Sequence, residues 1–230
     1  MPISHVQNAN GGSSASVTSA TATGSAIGSG NTVCGIVFWH NTAGTLTSVT
    51  DNKGNTYTIV DSIQETGGAN SFLASFYLVN VTGGPTALTA NLGSATTGVQ
   101  ISWDEYSGVS TSAVLDGHHG QAQASPGTGT DAISSGSFTT ADNGDLIYCG
   151  SYSVSGTSSA GTGFTLELNN SALNGLVFLS TEDEVQSSAG SVSGTFTQNN
   201  VSYTVTLALA LGVAAATAFD MGSRSVMVLP

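Results

Sequence analysis

The stretch Gly98–Val109, with the sequence GVQISWDEYSGV, alternates between two kinds of side chain. Apolar Val99, Ile101 and Trp103 occupy one set of alternate positions, and mainly polar residues occupy the other. Successive side chains of a strand point to opposite faces of a sheet, so this period of two is typical of a half-buried β-strand. The stretch therefore predicts a strand that ends at a Ser-Gly turn.

A second stretch, Tyr203–Leu209, has the same alternation. When the two stretches are aligned at one fixed separation in sequence, Val99 corresponds to Tyr203 and Trp103 corresponds to Leu207. Further upstream the separation grows, and GNTVCGIVF around Cys34 then matches GDLIYCGSY around Cys149. Changes in loop length produce a drifting separation of this kind. The pattern predicts an internal duplication.

The rest of the chain consists of alternating segments separated by Gly, Asn and Ser turns, and no sustained helical period is present. Leu207–Phe219 is the one helical contender because it is rich in Ala. The predicted fold is all-β: an antiparallel, jelly-roll-like β-sandwich of about 10–12 strands. The candidate strands are Ala15–Thr23, Thr32–His40, Thr56–Ile63, Phe72–Val81, Thr86–Leu92, Val99–Tyr106, Ala132–Thr139, Asp145–Val154, Phe164–Leu168, Leu176–Glu184, Val192–Thr197 and Val201–Leu211.

We expect residues 1–230 to form a single sandwich domain. The half-repeats cover about 15–109 and 131–211, with a connecting loop at 110–130 and a C-terminal strand or arm at 212–230. Each half alone would expose an apolar face, which favours two sheets that bury these faces together. Two tandem sandwiches joined by a flexible linker remain the alternative.

Composition excludes several classes of partner. Only 7% of the residues are charged, and the net charge is −12 because Lys53 and Arg224 are the sole basic residues. Binding to nucleic acid or to anionic lipid requires clustered Lys and Arg. We therefore expect no nucleic-acid partner. The longest nearly continuous apolar run, Leu207–Phe219, is too short to span a bilayer as a helix, so no membrane insertion is expected, and no motif indicates a cofactor. The partners should be proteins, glycans or copies of the same chain.

The N-terminal sequence MPISHVQNAN has neither a basic start nor an apolar core, so it does not resemble a secretory signal. The expectation is either a trimmed, secreted protein or a protein made in the cytoplasm that reaches its destination by another route, such as a virion component. Cys34 and Cys149 are expected to be buried free thiols, with one disulfide as the alternative.

Seven motifs in a fixed order resemble an uncharacterised all-β family, of jelly-roll or immunoglobulin-like sandwich type. The family occurs in secreted multidomain bacterial proteins and in structural proteins of tailed phages. The resemblance covers about residues 15–219 and implies no catalytic residue. The motifs are GNTVCGIVFW, VTDNKGNTYT, FYLVNVTGG, WDEYSGVSTSAVLDG, SGSFTTADNGDLIYCG, GTGFTLEL and TEDEVQSSAGSVSGTFT.

Two polar loops are weak candidates for metal sites. The oxygens of Asp51 and Asn55 are suited to Ca²⁺, although DNKGN is also turn chemistry. His118 and His119 next to an aspartate are suited to Zn²⁺, but no further ligand stands at the usual spacing. We therefore interpret the first loop as a turn and the second as polar surface.

The acidic pair Asp104-Glu105 and the run Glu182–Glu184 are the main concentrations of carboxylates. A glycosidase needs two carboxyl groups that face each other across a cleft. Neighbouring residues of a strand alternate between faces, so we interpret these groups as surface acids near strand ends. No nucleophile-elbow motif is present. An enzyme is therefore not expected.

Aromatic residues in the predicted strands are expected to be core. Trp39 and His40, at the end of a strand, are the candidates for a glycan contact. At the C-terminus, Val226, Met227, Val228 and Leu229 form an apolar segment suited to adding to the sheet edge of a neighbour. The alternative is that this segment is the last strand of its own domain.

Together these observations predict a non-enzymatic assembly protein, such as a capsid-decorating or tail-associated phage subunit on the virion surface. Its partners would be copies of itself and other virion proteins. The alternative function is a carbohydrate-binding or adhesive module of a secreted bacterial protein.

Overall fold

The computed structural model describes residues 2–40, 44–67, 70–124, 130–153, 158–170, 177–199 and 203–212. These residues form β-strands and no helix, and every strand pairing is antiparallel, so the all-β prediction is confirmed. Among them, therefore, no helix is long and apolar enough to cross a membrane. The described residues contain 17 strands rather than the predicted 10–12, because the N-terminal stretch and several predicted loops contain further strands. They are β1 (Ser4–Ser13), β2 (Val17–Thr23), β3 (Thr32–His40), β4 (Leu46–Asp51), β5 (Thr56–Gln64), β6 (Ser71–Leu78), β7 (Ala87–Ser107), β8 (Val114–Ala124), β9 (Thr130–Ser134), β10 (Phe138–Thr139), β11 (Leu146–Ser153), β12 (Ser158–Ala160), β13 (Thr165–Asn170), β14 (Phe178–Val185), β15 (Ser191–Val192), β16 (Thr195–Asn199) and β17 (Tyr203–Gly212).

The first half of the molecule, β1 to β7, is a large sheet and a small sheet that share strand β7. The large sheet has the order β1-β7-β3-β6-β5, and in the small sheet β7 lies between β2 and β4. Strand β4 also pairs with β5, so β7, β3, β6, β5 and β4 close into a five-stranded barrel. The expected jelly-roll order is therefore not confirmed.

Strand β7 can serve both sheets because it is long and bends in the middle. It has 21 residues, of which the first part pairs with β2 and β4 and the second part with β1 and β3. Gly98 lies between the two parts with φ of +66°. Residues with a Cβ rarely adopt this conformation, which explains a glycine at the bend.

The second half, β8 to β17, has the same strand order in its sheets. Its large sheet runs β8-β17-β11-β14-β13 and its small sheet runs β9-β16-β12, with an additional two-stranded ribbon of β10 and β15. Strands β8, β17, β11, β14 and β13 thus occupy the places of β1, β7, β3, β6 and β5. In the described residues, no pairing closes this half into a ring.

The apolar core consists of three clusters, because each large sheet buries both of its faces. One cluster fills the barrel of the first half and includes Trp103. The second lies between the two large sheets and includes Cys34 and Leu207. The third, with Cys149, lies between the large and small sheets of the second half. The halves are therefore stacked back to back in one body.

The predicted match of Trp103 with Leu207 is wrong by one residue. Trp103 faces the interior of its own half, whereas Leu207 faces the other half. The residue of β17 that faces its own half's interior is Ala208. A shift of one residue moves a side chain to the opposite face of a strand, and here both faces are buried, so the alternation did not reveal which face is inner.

Other expectations also differ from the structure. The predicted connecting loop 110–130 contains strand β8, which pairs with β17 over ten residue pairs. The N-terminal stretch, not predicted as a strand, forms β1. The described part of the helical contender, 207–212, is strand. The predicted C-terminal arm lies outside the described residues beyond Gly212.

Candidate functional site

The most concentrated group of titratable side chains lies between the two halves. It contains His5 of β1, Asp104 of β7, Glu167 of β13 and Asp183 of β14, with the tyrosines Tyr106 and Tyr148 packed between them. We call these six residues the His5 cluster. Strand β1 has a bulge after His5, and β13 has a bulge at Glu167. Bulges redirect side chains, which explains how both residues reach the space between the sheets.

Both ring nitrogens of His5 contact carboxylate oxygens. Nε2 lies 3.2 Å from Asp104 Oδ1, and Nδ1 lies 2.8 Å from Glu167 Oε2. Only the protonated imidazolium has two N–H donors, so this geometry fits the charged form. Burial lowers the pKa of His5, but the hydrogen bond and charge of Asp104, followed by the charges of Glu167 and Asp183, raise it above its usual value. His5 therefore supplies positive charge to an acidic surrounding.

The two tyrosines donate hydrogen bonds to carboxylates of the cluster. The hydroxyl of Tyr148 donates to Asp104 Oδ2 at 3.0 Å, and that of Tyr106 donates to Asp183 Oδ2 at 2.9 Å. Burial raises the pKa of both tyrosines, which keeps them neutral donors. Burial also raises the pKa of Asp183 to about 6, against the opposing hydrogen bond from Tyr106. Asp104, which is fully buried, thus accepts hydrogen bonds from both halves.

This arrangement connects the two halves, and its functional groups already have partners within the chain. The nearby Cys34 is a poor nucleophile, because burial first and then the charges of Asp104 and Asp183 raise its pKa. In the described ranges, no group of three or more His, Cys, Asp or Glu side chains is placed to hold a metal ion. The cluster fixes β1 against β13, and it fixes β7 against β11 and β14.

Two further predicted surface acids, Glu105 and Glu182, are buried, so that interpretation was wrong for them, whereas Glu184 is half-buried. Glu105 is 1% exposed and accepts hydrogen bonds from the Gly28 N–H and from the Asn31 and Gln7 amides. Glu182 is fully buried and accepts the N–H groups of Gly161 and Thr195. Both carboxylates hold loops in place. Burial raises the pKa of Glu182 to about 8, despite these two hydrogen bonds.

A further acidic group, Asp116, Asp142 and Asp145, lies where β11 begins and β17 ends. Asp116 Oδ2 accepts the N–H groups of Ala141 at 2.5 Å and of Asp142 at 3.4 Å. The carboxylate of Asp145 is buried, and no donor contacts it. Burial and the neighbouring Asp116 and Asp142 raise the pKa of Asp145 to about 7.

The loop Asp51–Asn55 forms the predicted turn between β4 and β5. Asp51 Oδ1 accepts the N–H groups of Lys53 at 2.9 Å and Asn55 at 3.0 Å, and Gly54 has φ of +91°. Asp51 Oδ2 accepts hydrogen bonds from the Asn55 amide and from Tyr57. These contacts are sufficient to explain the sequence of the loop.

His118 and His119 lie on β8, not in a loop, and contact different partners. His118 Nδ1 lies 2.9 Å from Asp61 Oδ2 of the first half, and His119 Nδ1 lies 2.6 Å from the carbonyl oxygen of Ser135. The two rings alternate between faces of the strand and do not converge on one point.

The predicted glycan contact at Trp39 is wrong. Trp39 is 1% exposed, its indole N–H donates to the Gly44 carbonyl oxygen at 2.8 Å, and its ring stacks on Phe72. His40 is exposed, and its Nδ1 contacts Ser71 Oγ. Cys34 and Cys149 are free and buried, as predicted. Val226, Met227, Val228 and Leu229 lie outside the described residues.

Sequence reasoning missed the His5 cluster. It treated His5 as remote from the other histidines and did not consider its carboxylate neighbours. The signal that could have revealed the cluster was His5 itself, a single basic side chain near the N-terminus of an acidic chain. No feature of the sequence indicated that Glu167 and Asp183 would face it.

An apolar groove of about 270 Å³ lies at one end of the molecule, where both halves meet. Val185, which forms part of its wall, is 47% exposed, and Val114 at the start of β8 is 52% exposed. The groove is open to solvent. Gly144 lines it and directly precedes Asp145 of the acidic group. The apolar lining residues of the groove are Pro2, Ile3, Val109, Ala113, Val185 and Leu211.

The fold and these sites define an antiparallel β protein of two stacked halves. Comparison with protein-family models, with curated proteins and with solved structures finds no match for this chain.

Proposed function

We propose that this chain is a non-enzymatic structural protein that works through protein–protein contacts. The observation that carries the proposal is the contrast between the His5 cluster and the apolar groove. The cluster's acids and bases have partners inside the fold, whereas the groove and the exposed Val185 leave apolar surface in contact with water. Apolar surface that remains exposed in this way is typical of interaction sites.

The class of assembly that we propose is a phage virion, with the protein as a capsid-decorating or tail-associated subunit. Support comes from the resemblance of the ordered motifs over about residues 15–219 and from a surface poor in charge. The partners would be copies of the chain and other virion proteins, and the location would be the virion surface. A net charge of −12 disfavours direct contact with packaged nucleic acid.

We also infer that the two halves derive from one duplicated unit. The support is the repeated order of their sheets, including the central positions of β7 and β17. In a jelly-roll-like ancestor, each unit would expose the face that now forms the core between the halves. Duplication then removes that exposed face by stacking one copy on the other.

The mechanism of assembly that we propose is the addition of the C-terminal segment to a neighbouring subunit. Val226, Met227, Val228 and Leu229 provide an apolar β-type sequence. Segments of this kind bind by main-chain hydrogen bonds and by insertion of alternate side chains into pockets.

The carbohydrate-binding alternative has less support, because its main candidate residue, Trp39, is buried. Both tryptophans, Trp39 and Trp103, are buried, and neither can stack on a sugar without unfolding of its surroundings. Of the predicted glycan contacts, His40 alone remains exposed. A glycan array tests this alternative directly.

The test of the proposed function is the mass of the full chain in solution compared with that of a chain lacking Gly222–Pro230. We expect the full chain to form concentration-dependent oligomers and the shortened chain to stay folded and monomeric. Sedimentation velocity gives the masses, and circular dichroism verifies the fold. Unchanged oligomers after truncation, or a monomeric full chain at every concentration, would contradict the proposal.

A further inference from the structure

The groove at the end of the molecule has the size and chemistry for a short apolar peptide. A volume of about 270 Å³ is at the lower end of the range of small-molecule pockets, which suits a few apolar side chains. Leu211 and Val109 are buried in it, while Val185 contributes a partly exposed wall. An apolar groove alone does not identify its occupant, but the charges beside it do.

The acidic group of Asp116, Asp142 and Asp145 and the groove lie on either side of the same end of the sheet. Gly144 lines the groove, and the next residue, Asp145, carries a buried carboxylate without a donor. A Cβ atom added to Gly212 would lie 3.0 Å from Asp145 Oδ1 and 3.3 Å from the Asp116 Cβ atom. Asp116 and Asp142 are half-buried and make this end of the sheet acidic, so an occupant that combines apolar side chains with a cation matches both the groove and the charges beside it.

The chain itself contains one segment with this combination. Arg224 precedes the apolar run Val226–Leu229, and Lys53, the other basic residue, lies in the turn between β4 and β5. Arg224 and the apolar run are two to five residues apart, about 7–17 Å of extended chain. This separation lets the apolar side chains enter the groove while the guanidinium reaches around the sheet end to Asp116 and Asp142, which are half-buried.

We propose that the groove is the acceptor for the segment Gly222–Pro230 of a second copy of this chain. This inference rests on the proposed function and names the surface that the C-terminal segment binds. The last described residue before the segment, Gly212, lies beside the acceptor. Two copies related by a twofold axis can therefore exchange segments reciprocally and close as a dimer. The twelve residues from Gly212 to Arg224 span up to about 40 Å, which is enough to reach a neighbour.

The experiment compares donor and acceptor variants of the full chain by sedimentation equilibrium. Arg224→Glu changes the donor, and Lys53→Glu is its control because it makes the same charge change elsewhere. Val185→Asn changes the acceptor, and Val6→Asn is its control because Val6 is 50% exposed and does not line the groove. We expect the dimer dissociation constant to rise about tenfold or more for Arg224→Glu and Val185→Asn, which corresponds to about 1.4 kcal/mol. Both controls should stay within about twofold of the unmodified chain.

A mixing experiment separates this proposal from other forms of assembly. The chain lacking Gly222–Pro230 keeps the acceptor, and the Val185→Asn chain keeps the donor. The shortened chain should be monomeric alone, and addition of the Val185→Asn chain should recruit it into a heterodimer with one intact donor–acceptor contact. A fluorescent peptide of sequence 222–230 should bind the shortened chain and bind it more weakly after Val185→Asn.

Three results would overturn the proposal. If the full chain dimerises but Val185→Asn and Val6→Asn act alike, the groove is not the acceptor and the proposed function survives. If the full chain is monomeric while the peptide binds the shortened chain, the segment occupies the groove of its own chain. If the full chain is monomeric and the peptide does not bind, both the groove assignment and the proposed function fail.

Discussion

The interiors of the two halves differ in chemistry, although their sheets have the same strand order. The barrel of the first half is filled by large apolar side chains, among them Trp103 and Phe76. In the second half, the space between the sheets contains a buried polar network centred on Ser151. Its hydroxyl contacts those of Thr204 and Thr206 and the side-chain amide of Gln198 at 3.1–3.3 Å.

This difference shows that strand order does not dictate what fills the interior. In the first half, the pairing of β4 with β7 closes the ring, and the inner positions face one another without access to water. Apolar filling stabilises such a space at about 25 cal/mol for each Å² buried. In the second half, stability depends more on hydrogen bonds. Removal of one partner of such a bond is costly, because it leaves the other partner buried and unsatisfied.

The largest effect should follow from emptying the barrel of the first half. Trp103 is fully buried, so Trp103→Ala should lower the free energy of unfolding by about 3–5 kcal/mol. Chemical denaturation measures this loss. Val6→Ala, at an exposed position, is the control and should change stability by less than about 0.5 kcal/mol. A loss below about 1 kcal/mol for Trp103→Ala would contradict an apolar, well-packed barrel.

The second prediction tests the polar interior. Ser151→Ala removes a hydroxyl that bonds Thr204, Thr206 and Gln198, and it should cost about 1–3 kcal/mol because these partners stay buried. Ser75→Ala is the matched control, since the Ser75 hydroxyl is buried but has no hydrogen-bond partner. The control should be neutral or slightly stabilising. Equal losses for the two variants would show that the Ser151 network adds no stability.

The third prediction concerns the contact between the halves. His5→Gln removes the only cation of the His5 cluster and should cost about 1–2 kcal/mol at pH 6, since hydrogen bonds to charged groups contribute more than neutral ones. His118→Gln is the control. His118 also contacts a carboxylate of the other half, but its side chain is 43% exposed, compared with 19% for His5. A surface pair contributes about 0–1 kcal/mol. The interpretation fails if the control costs as much as His5→Gln.

The most gradual effect should come from pH, and it should arise mainly in the second half. Burial raises the pKa of Glu182 to about 8, of Asp145 to about 7 and of Asp183 to about 6. Each value lies above that of the unfolded chain, so the folded state binds more protons, and stability increases as the pH falls from 8 to 5. The raised pKa of His5 acts in the same direction, because its contribution is lost as the pH rises through the folded value.

Thermal unfolding across this pH range should therefore show a Tm that is at least several degrees higher at pH 5 than at pH 8. Each such group contributes at most about 1.4 kcal/mol for each pH unit over which only its folded state is protonated, and about 1 kcal/mol corresponds to about 2–4 °C in a chain of this size. Glu182→Gln should flatten the dependence, whereas Val6→Ala, which changes an exposed side chain without a titratable group, should leave its slope unchanged. A Tm that falls steadily from pH 8 to pH 5 would contradict this account.

The sequence was sufficient to predict most of the strands and the burial of their apolar positions, but not β1 or β8. The alternation around Trp103 placed β7 correctly, and the match of Cys34 with Cys149 pointed to β3 and β11, which hold the same place in their sheets. The sequence did not indicate which face of each central strand points to the interior of its own half. Both faces of these strands are buried, and polar residues such as Gln100 and Asp104 lie in the core.

The sites were less predictable because they depend on contacts between distant parts of the chain. Asp104 and Asp183 look like surface acids in a strand pattern, yet stacking of the halves buries Asp104 and brings His5 and Tyr148 to it. A pattern of local alternation contains no information about which sheet will cover a polar face. The turn at Asp51–Asn55, in contrast, is determined by neighbours in sequence and was predicted.

The continuous course of β7 has a consequence for local opening. One strand takes part in both sheets of the first half, so neither sheet can open without disturbing the pairing of the other. The backbone amides from Leu88 to Tyr106 should then lose their protection against solvent exchange together, as one cooperative unit.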